Sequence, residues 1–231
     1  MVAETGSTND DVAALAREGA GEGLWLRAER QTGGRGRQGR AWQSPPGNLY
    51  ASTLVRLRPG DPPAATLALV AAVALQEVAA AYAPDADVRI KWPNDLLVGG
   101  AKLSGILLER HDDAVVIGFG VNLASHPDDT PRPATSLTAF AGSAPDVDGF
   151  LADLVDGFAG WLSRWRGDGL EPVRVRWLAR AHPPGTALSV VAAGQEPVDG
   201  LFDGLDERGG LRLRLADGTS HVIQAGDIFL I

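Results

Sequence analysis

An arginine- and glycine-rich segment is the part of this chain best suited to chemistry. Residues 31–40 read Gln-Thr-Gly-Gly-Arg-Gly-Arg-Gln-Gly-Arg, with four glycines and three arginines in ten positions. Each guanidinium offers several donors in a rigid fork that suits anions, and glycine lets the backbone approach a ligand closely. Because the whole chain is acidic, with formal net charge −8, a basic segment within it favours a site for a small polyanion.

This segment does not follow the common phosphate-binding patterns. Its glycines match the Gly-x-Gly-x-x-Gly fingerprint formally, but that loop must open a helix and Pro45-Pro46 follows instead. The Walker A pattern fails because Arg40-Ala41 stands where a lysine and a hydroxyl residue are required. Two interpretations remain: a solvated basic loop, or a loop whose arginines hold phosphates while Trp42 stacks on adenine.

Two further segments carry charged side chains near turns. Residues 91–95 read Lys-Trp-Pro-Asn-Asp, which suits either a hairpin corner or a metal–nucleotide site. Lys102 precedes an apolar strand, where a single lysine is more often exposed than catalytic. Gly105 lies within that strand, which indicates a close approach by a ligand or another chain.

The composition excludes several classes of site. The 231 residues include no cysteine, which rules out disulfides, a thiol nucleophile and cysteine-based zinc sites. The four histidines are scattered without ligand spacing and are predicted to be surface or satisfied core residues. Acidic residues near the N-terminus rule out a signal peptide there, so we expect a cytoplasmic protein. The apolar run within residues 64–75 is interpreted as a buried helix too short to span a membrane.

The hydrophobic pattern predicts alternating strands and helices followed by a small all-β region. Ser7-Thr8-Asn9-Asp10-Asp11 resembles overlapping capping boxes at the start of a helix. Further helices are predicted at Ala64–Tyr82, Gly149–Trp165 and Pro172–Ala181. Strands are predicted at Leu24–Ala28, Leu49–Leu57, Val88–Trp92, Leu96–Val98, Ser104–Glu109 and Ala114–Asn122. Residues 124–147 are predicted to form a surface loop. After residue 184, short runs separated by turns are typical of a small barrel: Ala187–Ala192, Val198–Asp203, Gly210–Leu215, His221–Gln224 and Ile228–Ile231.

The order of these motifs resembles the biotin protein ligase family. The resemblance rests on Ser7-Thr8-Asn9, the Gly-Arg-Gly-Arg-x-Gly-Arg-x-Trp run, Asn48-Leu49-Tyr50, Lys91 to Asp95, Lys102 to Leu107 and Gly118 to Asn122. It implies an α+β fold: a mixed or antiparallel sheet flanked by helices, as in class II synthetases, with an SH3-like barrel at the C-terminus. The implied domains are a catalytic biotin- and ATP-binding domain at 1–184 and the barrel at 185–231.

The resemblance also implies a role for each motif residue. The implied biotin-binding residues are Ser7, Thr8, Asn9, Gln31, Gly34, Arg35, Gly36, Arg37, Lys102 and Gly105. Those implied to bind ATP or the adenylate are Arg37, Arg40, Trp42, Asn94, Lys102 and Asn122. Arg37, Lys102 and Asp95 are the implied catalytic residues. The ligands of Mg²⁺ are left open, with Asp95 as a candidate.

The implied reaction has two steps, and several alternatives stay open. Biotin and MgATP would give biotinyl-5′-AMP, whose acyl group passes to a lysine of the biotin carboxyl carrier domain of an acyl-CoA carboxylase. The ligase motifs begin at residue 7, so no DNA-binding domain and no DNA partner are expected, while a homodimer is left open. The alternatives are a lipoate or octanoate ligase, a non-catalytic biotin sensor and a nucleic-acid-binding module; net charge −8 opposes the last.

Overall fold

Seven strands form the main sheet of the computed structural model, which describes residues 1–191 and 196–231. They are β1 (Val2–Thr5), β2 (Trp25–Gln31), β3 (Leu49–Arg56), β4 (Val88–Lys91), β5 (Asp95–Val98), β6 (Ala101–His111) and β7 (Ala114–Val121). Their order is β1-β2-β3-β7-β6-β5-β4. β1 runs parallel to β2 and the other neighbours are antiparallel, so the predicted mixed sheet is confirmed.

Helices cover both faces of this sheet. They are α1 (Thr8–Arg17), α2 (Leu67–Tyr82), α3 (Thr138–Ala141), α4 (Val147–Gly167) and α5 (Glu171–Arg180). On one face, Val12 of α1 packs with Leu54 and Val116. On the other, Val55 and Ile117 join the core that contains α2, α4 and α5. Successive strand residues point to opposite faces, which explains why neighbours in sequence enter different cores.

The central helix α2 is buried on nearly every side. With the turn before it, the segment Ala64–Tyr82 is long and apolar enough to cross a membrane by length and composition. The expectation that this run is too short was therefore wrong. Its contacts with α4, α5 and β4 and its burial, rather than its length, identify it as the core helix.

A second, five-stranded sheet follows the last helix. It comprises β8 (Ala187–Val191), β9 (Val198–Leu205), β10 (Leu211–Arg214), β11 (Ser220–Ile223) and β12 (Asp227–Leu230). All its paired neighbours are antiparallel, in the order β11-β10-β9-β8-β12. This sheet corresponds to the predicted small β domain, although Ala192 of the first predicted run lies outside the described residues.

The two sheets share one hydrophobic core. The indole nitrogen of Trp92 donates to the Gly209 carbonyl over 3.2 Å, and the rings of Trp177 and Phe202 lie 6.4 Å apart. Strand residues of both sheets, such as Ile90 of β4 and Leu211 of β10, belong to the same buried hydrophobic cluster.

Several predictions from local sequence patterns differ from the structure. The short strand β1 was not predicted, and the region 124–147 is more than a surface loop, because it contains α3 and buries residues 135–137. The capping-box interpretation was wrong: Ser7 makes no side-chain capping bond, while Asp11 accepts from Thr5. His182 also differs, because its Nε2 is buried without a partner among the described residues.

Candidate active site

A cavity of about 400 Å³ opens on the face of the main sheet that carries α1. Gly118 and Gly120 contribute to it from the same face of β7 as Val116, which packs against α1. Its walls come from the start of α1, residues 35–43, the region 127–134 and β12. The predicted site residues that line it are Ser7, Thr8, Asn9, Gln31, Arg35, Gly36, Arg37, Arg40, Trp42, Asn94, Asp95, Lys102, Gly105 and Asn122.

Gly34 is the one predicted site residue, all of them described, that does not line the cavity. A Cβ at this position would lie 2.7 Å from the Trp42 carbonyl oxygen and 2.8 Å from Ser44 Oγ. Glycine is therefore required here by the packing of the loop on itself.

Glycines on two neighbouring strands form the floor under Trp42. Gly105 of β6 pairs in register with Gly120 of β7. A Cβ on Gly120 would lie 2.7 Å from the indole Cε2, and one on Gly105 would lie 3.3 Å from Cζ3. The predicted close approach at Gly105 is thus made by side chains of the same chain, because a Cβ there would also lie 3.2 Å from Lys102 Nζ. Lys102 Nζ lies 5.5 Å from the centre of this ring.

Polar side chains fill the end of the cavity next to α1. Gln31 Oε1 accepts from the Thr8 backbone N–H over 2.9 Å and lies 3.1 Å from the Thr8 hydroxyl. The Thr8 hydroxyl contacts Ser52 Oγ at 2.7 Å, and Ser52 donates to Asn9 Oδ1 over 2.6 Å. Asn9 Nδ2 donates to Glu109 over 2.7 Å. These uncharged donors and acceptors suit a neutral polar ligand group.

Arg35 is held by two acids. Its guanidinium forms a two-point pair with Asp10, both bonds 2.6 Å long, and donates to Glu109 at 3.1 Å. The hydrogen bond from Arg35 lowers the pKa of Asp10 below its usual value. The same bond to Asp10 raises the pKa of the guanidinium. Arg35 is therefore held at the end of the cavity next to α1, apart from the other cations.

Lysines surround a single carboxylate at the other end. Lys102 Nζ lies 2.7 Å from Asp95 Oδ1, and Lys91 Nζ lies 3.8 Å from Oδ2. Burial lowers the pKa of Lys91 to about 8, against the opposing effect of Asp95. Sequence reasoning noticed the motif that contains Lys91 but left this residue out of the site, because nothing local indicates which of its side chains is buried.

The remaining cations reach across to the second sheet. Arg40 pairs with Asp227 of β12 at 2.7 Å, and Arg37 lies 3.5 Å from the same carboxyl group. Arg132 stacks over Phe229 at 4.2 Å and lines the cavity. Asp227 and Arg132 were missed by the sequence analysis, since no local motif marks them and only the tertiary fold brings them here.

Two asparagines hold the backbone around Lys102. Asn94 Nδ2 donates to the Ile106 carbonyl over 2.6 Å. Asn122 Nδ2 donates to the Thr135 carbonyl over 3.0 Å and to that of Lys102 at 3.4 Å. These amides fasten β5, β6 and the region 127–137 together, and so fix the strand from which Lys102 extends.

The described ranges hold no cluster of three or more acidic, histidine or cysteine side chains able to bind a metal. Within the predicted set the carboxylate is Asp95, which already contacts two lysines. One carboxylate suits Mg²⁺ that arrives bound to phosphates, since Mg²⁺ keeps most of its other ligands as water and phosphate oxygens.

Comparison with known proteins identifies the same family as the sequence motifs, along nearly the whole chain. The model of the biotin/lipoate A/B protein ligase family matches residues 7–122, and that of the biotin protein ligase C-terminal domain matches residues 190–231. The chain is 39% identical to a biotin--[acetyl-CoA-carboxylase] ligase of Paracoccus denitrificans, over 99% of each sequence. It is 36% identical to one of Mycobacterium tuberculosis, over 99% of this chain and 87% of the relative.

A solved structure agrees with these relatives. The Aquifex aeolicus biotin protein ligase in complex with biotin and ATP superposes with a TM-score of 0.87 at 26% identity, covering 100% of this chain and 97% of that one. Sequence, fold and cavity thus point the same way, and the chain belongs to the biotin/lipoate A/B protein ligase family, as one of its biotin protein ligases.

Proposed function

We propose that this enzyme activates biotin with ATP to biotinyl-5′-AMP and transfers the biotinyl group to a lysine of a biotin carboxyl carrier domain. The observation that carries the proposal is the division of one cavity into two ends. Neutral hydrogen-bonding groups around Thr8 suit the ureido head of biotin. Cations around Asp95 suit the carboxylate and the phosphates with which it reacts.

The first step is limited by charge repulsion. The biotin carboxylate is already an anion and needs no base, but it must approach the α-phosphorus of a polyanionic triphosphate. Arg37 and Lys102 reduce this repulsion and hold the two groups in line, while pyrophosphate leaves. Asp95 is the residue that would hold Mg²⁺, which supplies further neutralisation of phosphate charge when bound.

The second step requires a neutral amine. An acceptor lysine has an ordinary pKa near 10.4, so a base must remove its proton before the nitrogen attacks the acyl carbon and AMP leaves. Asp95 is the proposed base, because its carboxylate lines the cavity and is held between Lys91 and Lys102.

We also propose the residue roles and the domain limits that the family resemblance implies, with changes for two residues, Gly34 and Arg35. Gly34 shapes the loop from outside the cavity, and Arg35 acts from its pair with Asp10. The catalytic domain is proposed at 1–184 and the small β domain at 185–231. A cytoplasmic location fits the absence of cysteine. A role without DNA binding fits the position of the basic loop, whose arginines line the cavity.

The test is the identity of the acyl-adenylate. The protein is incubated with MgATP and biotin, lipoate or octanoate, desalted, and analysed by mass spectrometry for a retained adenylate. We expect biotinyl-5′-AMP from biotin and none from the other two acids. Lys102→Ala is the matched control, in which adenylate formation should fall by about 100-fold or more.

The other outcomes separate the alternatives. Lipoyl- or octanoyl-AMP would move the activity to the lipoate ligases that share the family model. Biotin binding without any adenylate would leave a sensor and contradict the enzymatic proposal. Transfer is then followed with a purified carrier domain, whose mass should rise by one biotinyl group.

A further inference from the structure

A line of hydrogen-bonded side chains runs from Glu109 to Thr8 under the cavity. Asn9 Nδ2 donates to Glu109 Oε2 over 2.7 Å, and Ser52 Oγ lies 2.6 Å from Asn9 Oδ1. Ser52 Oγ and Thr8 Oγ1 are 2.7 Å apart. Thr8, Asn9 and Ser52 are almost completely buried, so their protons must be shared among these partners and the ligand.

The charge at one end fixes the direction of these bonds. Glu109 is a carboxylate paired with Arg35, and its oxygens only accept. The Leu107 carbonyl, 3.4 Å from the same Asn9 nitrogen, also only accepts. Asn9 must therefore turn its amide nitrogen to these two groups and its carbonyl oxygen to Ser52. The single proton of Ser52 is then committed to Asn9.

This direction is passed on to Thr8. With its own proton used, Ser52 can only accept in its 2.7 Å contact with Thr8, so the Thr8 hydroxyl donates to it. Gln31 supplies no proton there, because its Oε1 accepts from the Thr8 backbone N–H and is a second, more distant acceptor for the Thr8 hydroxyl at 3.1 Å. The Thr8 oxygen is left with lone pairs for the ligand and no proton to donate.

We infer that Glu109 is a positioning residue that acts through Asn9 and Ser52 to make Thr8 a pure hydrogen-bond acceptor for a ligand N–H. The inference rests on the proposed function, since the biotin head is a cyclic urea with two N–H groups. A ligand with an oxygen at that position would place two acceptors against each other in a buried site, which is strongly unfavourable.

Gly118 leaves room for the Asn9 side chain in this hydrogen-bonded line from Glu109 through Asn9 and Ser52 to Thr8, which we call the relay. A Cβ at this position would collide with the Asn9 side-chain oxygen. Glycine on β7 therefore leaves room for the amide to lie between Ser52 and Glu109. The relay occupies space that β7 provides only because it has no side chain there.

The test compares biotin with its two cyclic carbamate analogues, in each of which one ureido N–H is replaced by a ring oxygen. Dissociation constants are measured by calorimetry with the full chain. We expect the wild type to prefer biotin over at least one analogue by about 100-fold or more. In Ser52→Ala the Thr8 hydroxyl no longer has to donate to Ser52 and can leave its longer 3.1 Å contact with Gln31 Oε1 for the ligand. In Glu109→Met the Asn9 amide keeps only its 3.4 Å contact with the Leu107 carbonyl and can turn over, which frees the Ser52 proton for Thr8. The preference should therefore fall at least tenfold in both variants.

Two matched variants separate the effect of hydrogen-bond direction from the effect of the negative charges on Glu109 and Asp10. Glu109→Gln keeps an acceptor oxygen for Asn9 and should retain the wild-type preference. Asp10→Asn removes the other acid on Arg35 without touching the relay and should retain it too. A merely structural role would weaken binding of biotin and the carbamates alike, leaving their ratio unchanged.

Each failure has a distinct meaning. If the wild type does not bind biotin, the proposed function and this inference fall together. If it binds biotin and the preference survives in Glu109→Met, the inference alone is overturned, whatever Ser52→Ala does. Because Glu109 is partly exposed, its variant remains decisive even if the buried Ser52→Ala does not fold.

Discussion

At the scale of single residues, the site is organised around Asp95. Its two oxygens face different lysines, Lys102 at 2.7 Å and Lys91 at 3.8 Å. The carboxylate therefore offsets part of the positive charge that the phosphates would meet, and it keeps both ammonium groups in place before ligand arrives. One side chain thus serves positioning and, in our proposal, proton removal.

Asp95→Asn should separate these two roles. From preformed biotinyl-5′-AMP, transfer to the carrier domain should slow by about 100-fold or more, because the amide cannot remove the lysine proton. The measurement is single-turnover transfer followed by mass spectrometry, at several pH values. If transfer from the preformed adenylate proceeds at the wild-type rate, Asp95 is not the base.

Lys91 predicts a specific pH dependence of stability. Burial lowers its pKa to about 8 from an ordinary 10.5, so between these values the unfolded chain binds more protons than the folded one. The free energy of unfolding should therefore rise with pH over this window relative to Lys91→Met, by up to about 3 kcal/mol. Below pH 8 the difference should be flat. Urea unfolding of both proteins at pH 7, 8, 9 and 10 gives the comparison, and a difference that does not change with pH would refute the shift.

The site residues predicted from the sequence lie in short motifs, whereas those that were missed come from distant parts of the chain. Predicted site residues such as Asn94 and Lys102 lie in short runs whose composition is unusual, and all of the predicted site residues but Gly34 line the cavity. Asp227 and Arg132 come from distant segments with ordinary composition. Their place in the site depends on the packing of the second sheet, which no local pattern encodes.

At the scale of elements, periodic apolar segments were predicted well and irregular ones were not. The helix α2 and the strands β3 and β7 are apolar and long enough to be recognised. β1 has four residues and no buried side chain, so it carries little signal. The region 124–147 was interpreted from its prolines, yet Thr135 N–H bonds the Lys102 carbonyl over 2.9 Å and the Lys102 N–H bonds that of Pro133 over 2.8 Å.

The pair between α1 and the arginine-rich loop predicts the loop's protease sensitivity. Asp10→Asn removes the two-point contact with Arg35, and pairs of this partly exposed kind contribute up to about 1 kcal/mol. Tryptic cleavage within residues 35–40 should therefore accelerate by about two- to fivefold.

Asp113→Asn is the control, because it breaks an exposed pair with Arg56 far from the loop in sequence and should leave the cleavage rate unchanged. Limited proteolysis with mass spectrometry identifies the cut sites. Equal rates in the wild type and Asp10→Asn would show that the loop is held by other contacts.

At the scale of the whole molecule, the second sheet completes both the core and the cavity. Ile228 belongs to the shared hydrophobic core, while its neighbour Asp227 binds Arg40 at the cavity. Trp92 ties the two sheets together through its bond to Gly209. The second sheet is therefore an integral part of the core and of the cavity wall.

Removal of residues 185–231 should prevent cooperative folding of the rest. It would expose Trp92, Trp177 and Ile90, which are buried in the intact chain, and each large apolar side chain contributes about 1.5–3 kcal/mol on burial. That sum is comparable with the usual total stability of a domain. Thermal unfolding followed by near-ultraviolet circular dichroism provides the measurement, with the exposed substitution Val222→Ser as control. A truncated chain with a sharp transition would contradict the prediction.

The glycine floor under Trp42 restricts how such an enzyme can diverge. A methyl group on Gly120 would lie 2.7 Å from the indole and one on Gly105 3.3 Å, so a side chain on Gly120 requires a smaller residue at position 42. A single substitution at Gly120 would therefore disrupt the packing of Trp42 unless position 42 changed as well. A side chain at position 120 is thus expected only together with a smaller residue at position 42, although the two positions lie 78 residues apart in the chain.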